Sequence, residues 1–327
     1  MSTMGPILGI DVGGTKIAAI LVDHDDHVLA ARVVPTDERT LDAQVLDAAA
    51  SILDGRAPMA LGIAAPGQVD TESGVVRMAV NVSLPAIPLA SIVQERLGVP
   101  AFVDHDTRAA AAWLLQRDGG SGSFAYVSVG TGISAAVAID GRLLRGVSGL
   151  AGEIGHVVAL PGGPACACGL QGCLEAVASG PAVARRAAEA VDAGETTSLR
   201  ADAGPADVYH AAEAGDPVAL RIAAEVGGYL ARAIRGIVLA YGIDRVVLGG
   251  GLTRAGQSFL QPILDALELE RSQSALVRQA LPPAVLELLD PDTQPGAWGA
   301  VVIARSGLAA ARSEASDSSR GREVANG

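Results

Sequence analysis

The sequence predicts an α/β protein built as two related halves. Three observations lead there. The chain has 327 residues, and at roughly 150 residues per domain that length holds two domains and a sizeable core. Apolar strand-like runs alternate with helical patterns along most of it. One pattern also occurs twice: Ser128–Asp140 (SVGTGISAAVAID) overlays Asp11–Asp23 (DVGGTKIAAILVD) without a gap, 117 residues further on. Both read strand, Gly/Thr turn, strand, aspartate, so a whole supersecondary unit is repeated. Any two glycine-turn hairpins share part of that likeness.

The elements come in this order. Ile7–Asp23 is two apolar runs joined by a glycine-rich turn, the pattern of a β-hairpin. A helix is expected over Leu41–Leu53 and a strand over Ala60–Gly67. Pro88–Leu97 reads as a short helix. Ala101–Asp106 (AFVDHD) is a strand running into a helix from Thr107 to Arg117, stopped by Gly119 and Gly120. After the repeated hairpin comes the longest helix, Asp216–Tyr241, with Asp216 as cap and Pro217 in the first turn. Its buried stripe is Val218, Ile222, Val226, Leu230 and Ile234. Gly242 ends it, and Arg245–Leu248 is a strand that enters Gly249–Gly251. A closing helix covers Gly299–Arg312, and the polar residues beyond it are expected to be disordered.

Composition excludes several classes. Twenty-four basic residues stand against 36 acidic ones, a formal net charge of −12, so no general basic face is expected for nucleic acid. No run of about 18 apolar residues predicts a membrane span, and Met1–Gly5 lacks the basic start of a secretion signal. The 3 cysteines crowd between Cys166 and Cys173, unlike a disulfide framework. The expectation is a cytoplasmic globular protein. With 3 Phe, 2 Trp and 4 Tyr, its core must pack from small side chains. Lys16 is the one lysine among 24 basic residues, in a glycine-rich turn where a compact ammonium suits better than a planar guanidinium.

Glycine turns after strands let backbone N–H groups approach phosphate oxygens. Gly13 and Gly14 offer that approach, Thr15 a hydroxyl, Lys16 a counter-charge, and Asp11 a water-mediated hold on Mg²⁺. The turn is neither a Walker motif nor a dinucleotide fingerprint, and on its own it also reads as a tight hairpin. Gly130, Thr131 and Gly132 repeat the chemistry. Gly249, Gly250 and Gly251 form a third turn before a helix, suited to the nucleoside end. His156, Cys166, Cys168 and Cys173 form H-x9-C-x-C-x4-C, the donor set of a closed, structural zinc site. Free thiols are the plainer reading.

These motifs resemble those of the ROK family (repressors, open reading frames, kinases), the actin-like sugar kinases and their regulator relatives. The likeness runs from about Ile7 to Arg305. It is carried by DVGGTK at Asp11–Lys16, APG at Ala65–Gly67, GTG at Gly130–Gly132 and GLAGEIGHVV…CACGLQGCLE at Gly149–Glu175. It implies two actin-like (ribonuclease H-like) α/β domains with a cleft between them and a zinc-bearing loop. One domain is expected over residues 1–117 completed by 300–313, and the other over 118–299, with a tail at 314–327.

The resemblance also implies ATP-dependent phosphorylation of a hexose 6-hydroxyl, glucose first, with N-acetylmannosamine or N-acetylglucosamine as the alternative. The family's base is the aspartate heading a helix, here Asp106, and Asp at such a place also serves as a helix cap. Sugar contacts carried over are Asn81, Glu153, His156 and Glu175. His105 stands where the family usually has a sugar-touching Asn, and Arg108 where it often has another Asn. His156 has two nitrogens, one for zinc and one for sugar. A homodimer or dimer of dimers is expected. A sugar-responsive regulator or sensor is the competing class. A regulator would need a DNA-binding segment, and only six residues precede the first strand.

Overall fold

Strand pairing produces two five-stranded mixed sheets of the same design. The computed structural model describes residues 5–37, 39–78 and 86–325. The chain divides into unit 1, Met1–Gly120 with Gln294–Gly327, and unit 2, Ser121–Thr293.

In unit 1, Ile7–Val12 (β1) and Lys16–Val22 (β2) form the expected hairpin, and Val28–Pro35 (β3) adds an edge strand that the sequence reading did not identify. Leu41–Leu53 (α1) leads to Ala60–Ala65 (β4), and Gln68–Asp70 (β5) pairs with Val75–Met78 (β6) as a separate ribbon. Leu89–Leu97 (α2), Ala101–His105 (β7) and Asp106–Arg117 (α3) come next. Strand order is β3-β2-β1-β4-β7. The three strands β1, β4 and β7 run parallel, so their carboxyl ends share one edge.

Unit 2 repeats the scheme. Phe124–Val129 (β8), Ile133–Ile139 (β9) and Arg142–Leu143 (β10) form the antiparallel part. Next come Leu174–Ala178 (α4), Gly180–Asp192 (α5), Pro205–Glu213 (α6) and Pro217–Tyr241 (α7). Val246–Gly249 (β11), Gln257–Gln273 (α8), Ala275–Ala280 (α9) and Leu286–Leu288 (β12) complete it. The order β10-β9-β8-β11-β12 matches unit 1 strand for strand.

Pro295–Ala325 (α10) returns to unit 1. It starts before the expected Gly299 and continues beyond Arg312 through residues read as a tail. Alanine, glutamate and arginine favour helix there, and no proline interrupts it.

Strand alternation sorts the core of unit 1. Leu8, Ile10 and Val12 pack towards α1 and α2, with Val45, Ala49 and Val93. Ile7 faces the other way, against Ala297, Val301 and Ala304 of α10. Ala64, Ala109 and Ala300 form a small cluster of their own, so methyl groups fill the contact of α10 with β4 and α3. In unit 2 the stripe Val218, Ile222, Val226, Leu230 and Ile234 of α7 is buried as the spacing required. Asp216 caps α7, accepting from Val218 N and Ala219 N at 3.0 Å each. Among the described residues, no helix is long and apolar enough to cross a membrane.

Candidate active site and metal loop

In unit 1 the β1–β2 turn is tight. Gly13 N–H donates to the Lys16 carbonyl at 2.9 Å, while Gly14, Thr15 and Lys16 are exposed. That commits the Gly13 donor within the turn, leaving Gly14–Lys16 as its outward face. Thr36, just past β3, pins the turn: its Oγ1 donates to the Gly13 carbonyl at 2.7 Å and its N–H to the Thr15 carbonyl at 3.1 Å. Nothing in the local pattern at Thr36 announced that role.

Asp11 is the next-to-last residue of β1, on the face covered by α10. A Cβ at Gly296, in the first turn of α10, would lie 2.3 Å from Asp11 Oδ2, so that glycine makes the room the carboxylate occupies. Burial first and the neighbouring Asp106 carboxylate second push the Asp11 carboxyl up to about 7, against the opposite pull of Lys16. Asp11 therefore senses both Asp106 and Lys16 near the edge where β1 and β7 end.

Asp106 is the first residue of α3, and its side chain is 34% exposed. The N-cap position belongs to His105, so Asp106 is not the cap. Thr107 donates to Asp106 Oδ1 from its N–H at 2.6 Å and from its hydroxyl at 3.1 Å. His105 is buried, and its Nδ1 lies 3.0 Å from the same oxygen. Beneath them Asp104 and Arg108 are fully buried as an ion pair, Nε to Oδ1 at 2.8 Å. Arg108 thus points into the protein and anchors the strand–helix junction. Asn81 lies outside the described residues.

In unit 2 the Gly130–Gly132 turn closes on itself, Gly130 N–H to the Gly132 carbonyl at 2.9 Å. The turn after β11 packs on it: a Cβ at Gly250, whose φ is +90°, would meet Val129 N at 2.6 Å. Beyond Gly250 the chain makes a short 3-10 turn, Gly251–Ala255, and α8 begins only at Gln257. Glu175 is buried on α4 and accepts from Ile133 N–H at 2.9 Å, tying α4 to the end of the glycine turn.

The cysteine loop is the most complete constellation. One ligand atom each from His156, Cys166, Cys168 and Cys173 falls within 4.8 Å of the others. Cys168 Sγ and Cys173 Sγ are 3.6 Å apart, far beyond a disulfide bond and close to the roughly 3.7 Å between thiolates 2.3 Å from one tetrahedral ion. His156 turns Nδ1 towards Cys166 Sγ at 3.6 Å and Nε2 towards Glu153 at 3.9 Å. Burial, with the neighbouring thiols, pushes the Cys173 thiol up to about 12. Three sulfurs so close favour a dication that would hold them as thiolates, and the donor set fits zinc. Glu153 precedes the 3-10 turn Ile154–His156, and Cys173 directly precedes α4, so the loop fixes Glu153 and Glu175 together.

Two α/β units of one strand order, with glycine turns and a three-cysteine, one-histidine loop, define a class of protein, and the comparisons agree. The model of the ROK family matches residues 7–306, and the chain belongs to that family. It is 32% identical over 279 residues to a glucokinase of Halalkalibacterium halodurans, covering 80% of this chain and 84% of that one. It is 32% identical over 255 residues to an N-acetylmannosamine kinase of Citrobacter koseri, covering 75% and 83%. Among solved structures, a ROK family glucokinase from Streptomyces griseus in complex with glucose and AMPPNP matches with a TM-score of 0.79 and 29% identity, over 92% of this chain and 100% of that one. The two units are actin-like, ribonuclease H-like domains.

Proposed function

We propose that this protein transfers the γ-phosphoryl group of ATP to the 6-hydroxyl of a hexose, with glucose as the preferred acceptor. The observation that carries this reading lies in unit 1. A carboxylate anchored through one oxygen, Asp106, stands at the same sheet edge as the Asp11–Lys16 turn, near enough to raise Asp11. In doubly wound sheets ligands bind at that carboxyl edge. Asp106 accepts the hydroxyl proton as the sugar oxygen attacks phosphorus and the bond to ADP breaks. Gly14–Lys16 meet the phosphates, and Asp11 would help to hold Mg²⁺. The cation, when bound, neutralises phosphate charge. Gly130–Gly132 and Gly249–Gly251 supply further backbone to the nucleotide. Glu153, His156 and Glu175 read sugar hydroxyls, held by the loop whose four protein ligands would keep Zn²⁺ structural, with no position open to water.

N-acetylmannosamine is the second reading, supported by the kinase relative that bears that name. One acetyl group is discriminated by unpaired polar groups worth a few kcal/mol. A coupled ADP-release assay over a panel of hexoses and N-acetylhexosamines decides between them. Glucose is expected to give the highest kcat/KM. If no sugar raises ADP release above background, the kinase reading falls and a sugar sensor takes its place.

A further inference from the structure

We propose that His105 is a positioning residue for the base: its Nδ1–H holds Asp106 Oδ1, so that Oδ2 is the oxygen that takes the sugar proton. This rests on the reading of Asp106 as the base. His105 Nδ1 lies 3.0 Å from Asp106 Oδ1 and 3.3 Å from Thr107 N. One ring nitrogen carries either a proton or a lone pair, so it serves only one of these neighbours. Thr107 N–H already has a better acceptor, Asp106 Oδ1 at 2.6 Å. A lone pair on Nδ1 would face a carboxylate oxygen at 3.0 Å in a site where the His105 side chain is only 8% exposed. A proton on Nδ1 satisfies both groups.

The consequence is an asymmetric carboxylate. The Thr107 N–H, the Thr107 hydroxyl and His105 Nδ1 all converge on Oδ1. Proton transfer then runs from the sugar hydroxyl to Oδ2, while His105 keeps its own proton and no charge crosses the ring. The His105 backbone is itself held from below. His105 N–H donates to Asp104 Oδ1 at 2.7 Å, and that oxygen also takes Arg108 Nε at 2.8 Å. Side chains at both ends of this ion pair are buried to within 3%. His105 thus spends Nδ1 on the base, and its role differs from the direct sugar contact expected at this position.

Two measurements test it. Long-range ¹⁵N–¹H spectra of the full chain labelled at its 5 histidines report each tautomer, and His105 is assigned by the signal missing from His105→Asn. The expected form carries a proton on Nδ1; an Nε2–H tautomer with a bare Nδ1 overturns the proposal. His105→Phe keeps the ring volume and removes the donor. Its kcat is expected to fall roughly 10- to 100-fold, with KM for sugar and for ATP within a few-fold. His105→Asn, which keeps a short amide donor, is expected to recover part of that loss. A raised sugar KM with unchanged kcat would mark a sugar contact and overturn the proposal. If His105→Phe does not fold, the tautomer in the parent chain still decides. Turnover surviving in Asp106→Asn would remove the base itself and leave the tautomer standing, so the two failures are distinguishable.

Discussion

The two halves share a backbone scheme and differ in what it carries. β1–β2 and β8–β9 begin and end 117 residues apart, residue for residue, and each sits at the same place in its sheet. Yet the first turn is flanked by Asp11 and Lys16, and the second by Ser128 and Ile133. The proposed base, Asp106, also belongs to the first half, directly after β7. The second half carries the cysteine loop, inserted between β10 and α4. Repetition therefore supplies a scaffold twice, and the proposed chemistry enters where the copies diverge: Asp11, Lys16 and Asp106 in unit 1, the His156–Cys173 cluster in unit 2.

Metal removal should separate the halves most sharply. Elemental analysis is expected to find about one zinc per chain, and Cys168→Ala to lose it. A structural zinc is worth on the order of 10 kcal/mol of folding free energy in small domains. Chelation should therefore loosen the Glu153–Glu175 segment to proteolysis and abolish sugar binding while unit 1 keeps its fold. Protein without zinc that binds sugar normally would refute the loop's role.

Gly296→Ala probes unit 1. The new methyl must displace the Asp11 carboxylate, and alanine favours helix by about 1 kcal/mol over glycine. Activity with MgATP is expected to fall tenfold or more while the melting temperature holds or rises. A variant with parental activity would show that Asp11 need not sit where it does. Lys16→Arg asks less of the same turn. A planar fork fits a point-charge site poorly, so kcat/KM for ATP should drop by roughly an order of magnitude; full activity would remove the significance of the lone lysine.

Asp216→Asn is expected to have the smallest effect, on stability alone. Burial alone would raise this carboxyl, but bonds from Ser198 N–H, Ala219 N–H and the Ser198 and Thr197 hydroxyls outweigh it and hold it well below the usual range. A folded-state value below the unfolded one means that the stabilisation is complete above about pH 5 and is lost as pH falls. Denaturant titration should show a loss of about 1–3 kcal/mol at pH 7 that narrows towards pH 3. An unchanged gap at acid pH would contradict the hydrogen-bond account.

Much of this was legible in the chain because its signals are local. Both hairpins, α1, α7 with its Asp216–Pro217 start, and the histidine–cysteine quartet emerge from turn residues, periodicity and donor spacing. The short strands β5, β6, β10 and β12 offer two to four residues each, too few for a period to show. Helix α8 contains Pro262, which reads as a break. At the site, sequence named Asp106 but not which oxygen is held, since that depends on the packing of His105 over the Asp104–Arg108 pair. Gly296 and Thr36 act on residues 285 and 23 positions away in the chain, Asp11 and Gly13, and no local pattern reports such contacts.

The central claim is that the divergent carboxylate of unit 1 does the chemistry. Phosphorus NMR of the reaction with glucose and ATP, run with the parent chain and with Asp106→Asn, tests it most directly. The parent is expected to form the 6-phosphate as ATP is consumed. The variant should turn over ~10²–10⁴-fold more slowly while binding AMPPNP as tightly as before. A variant within a few-fold of the parent, or a product phosphorylated elsewhere on the ring, would contradict it.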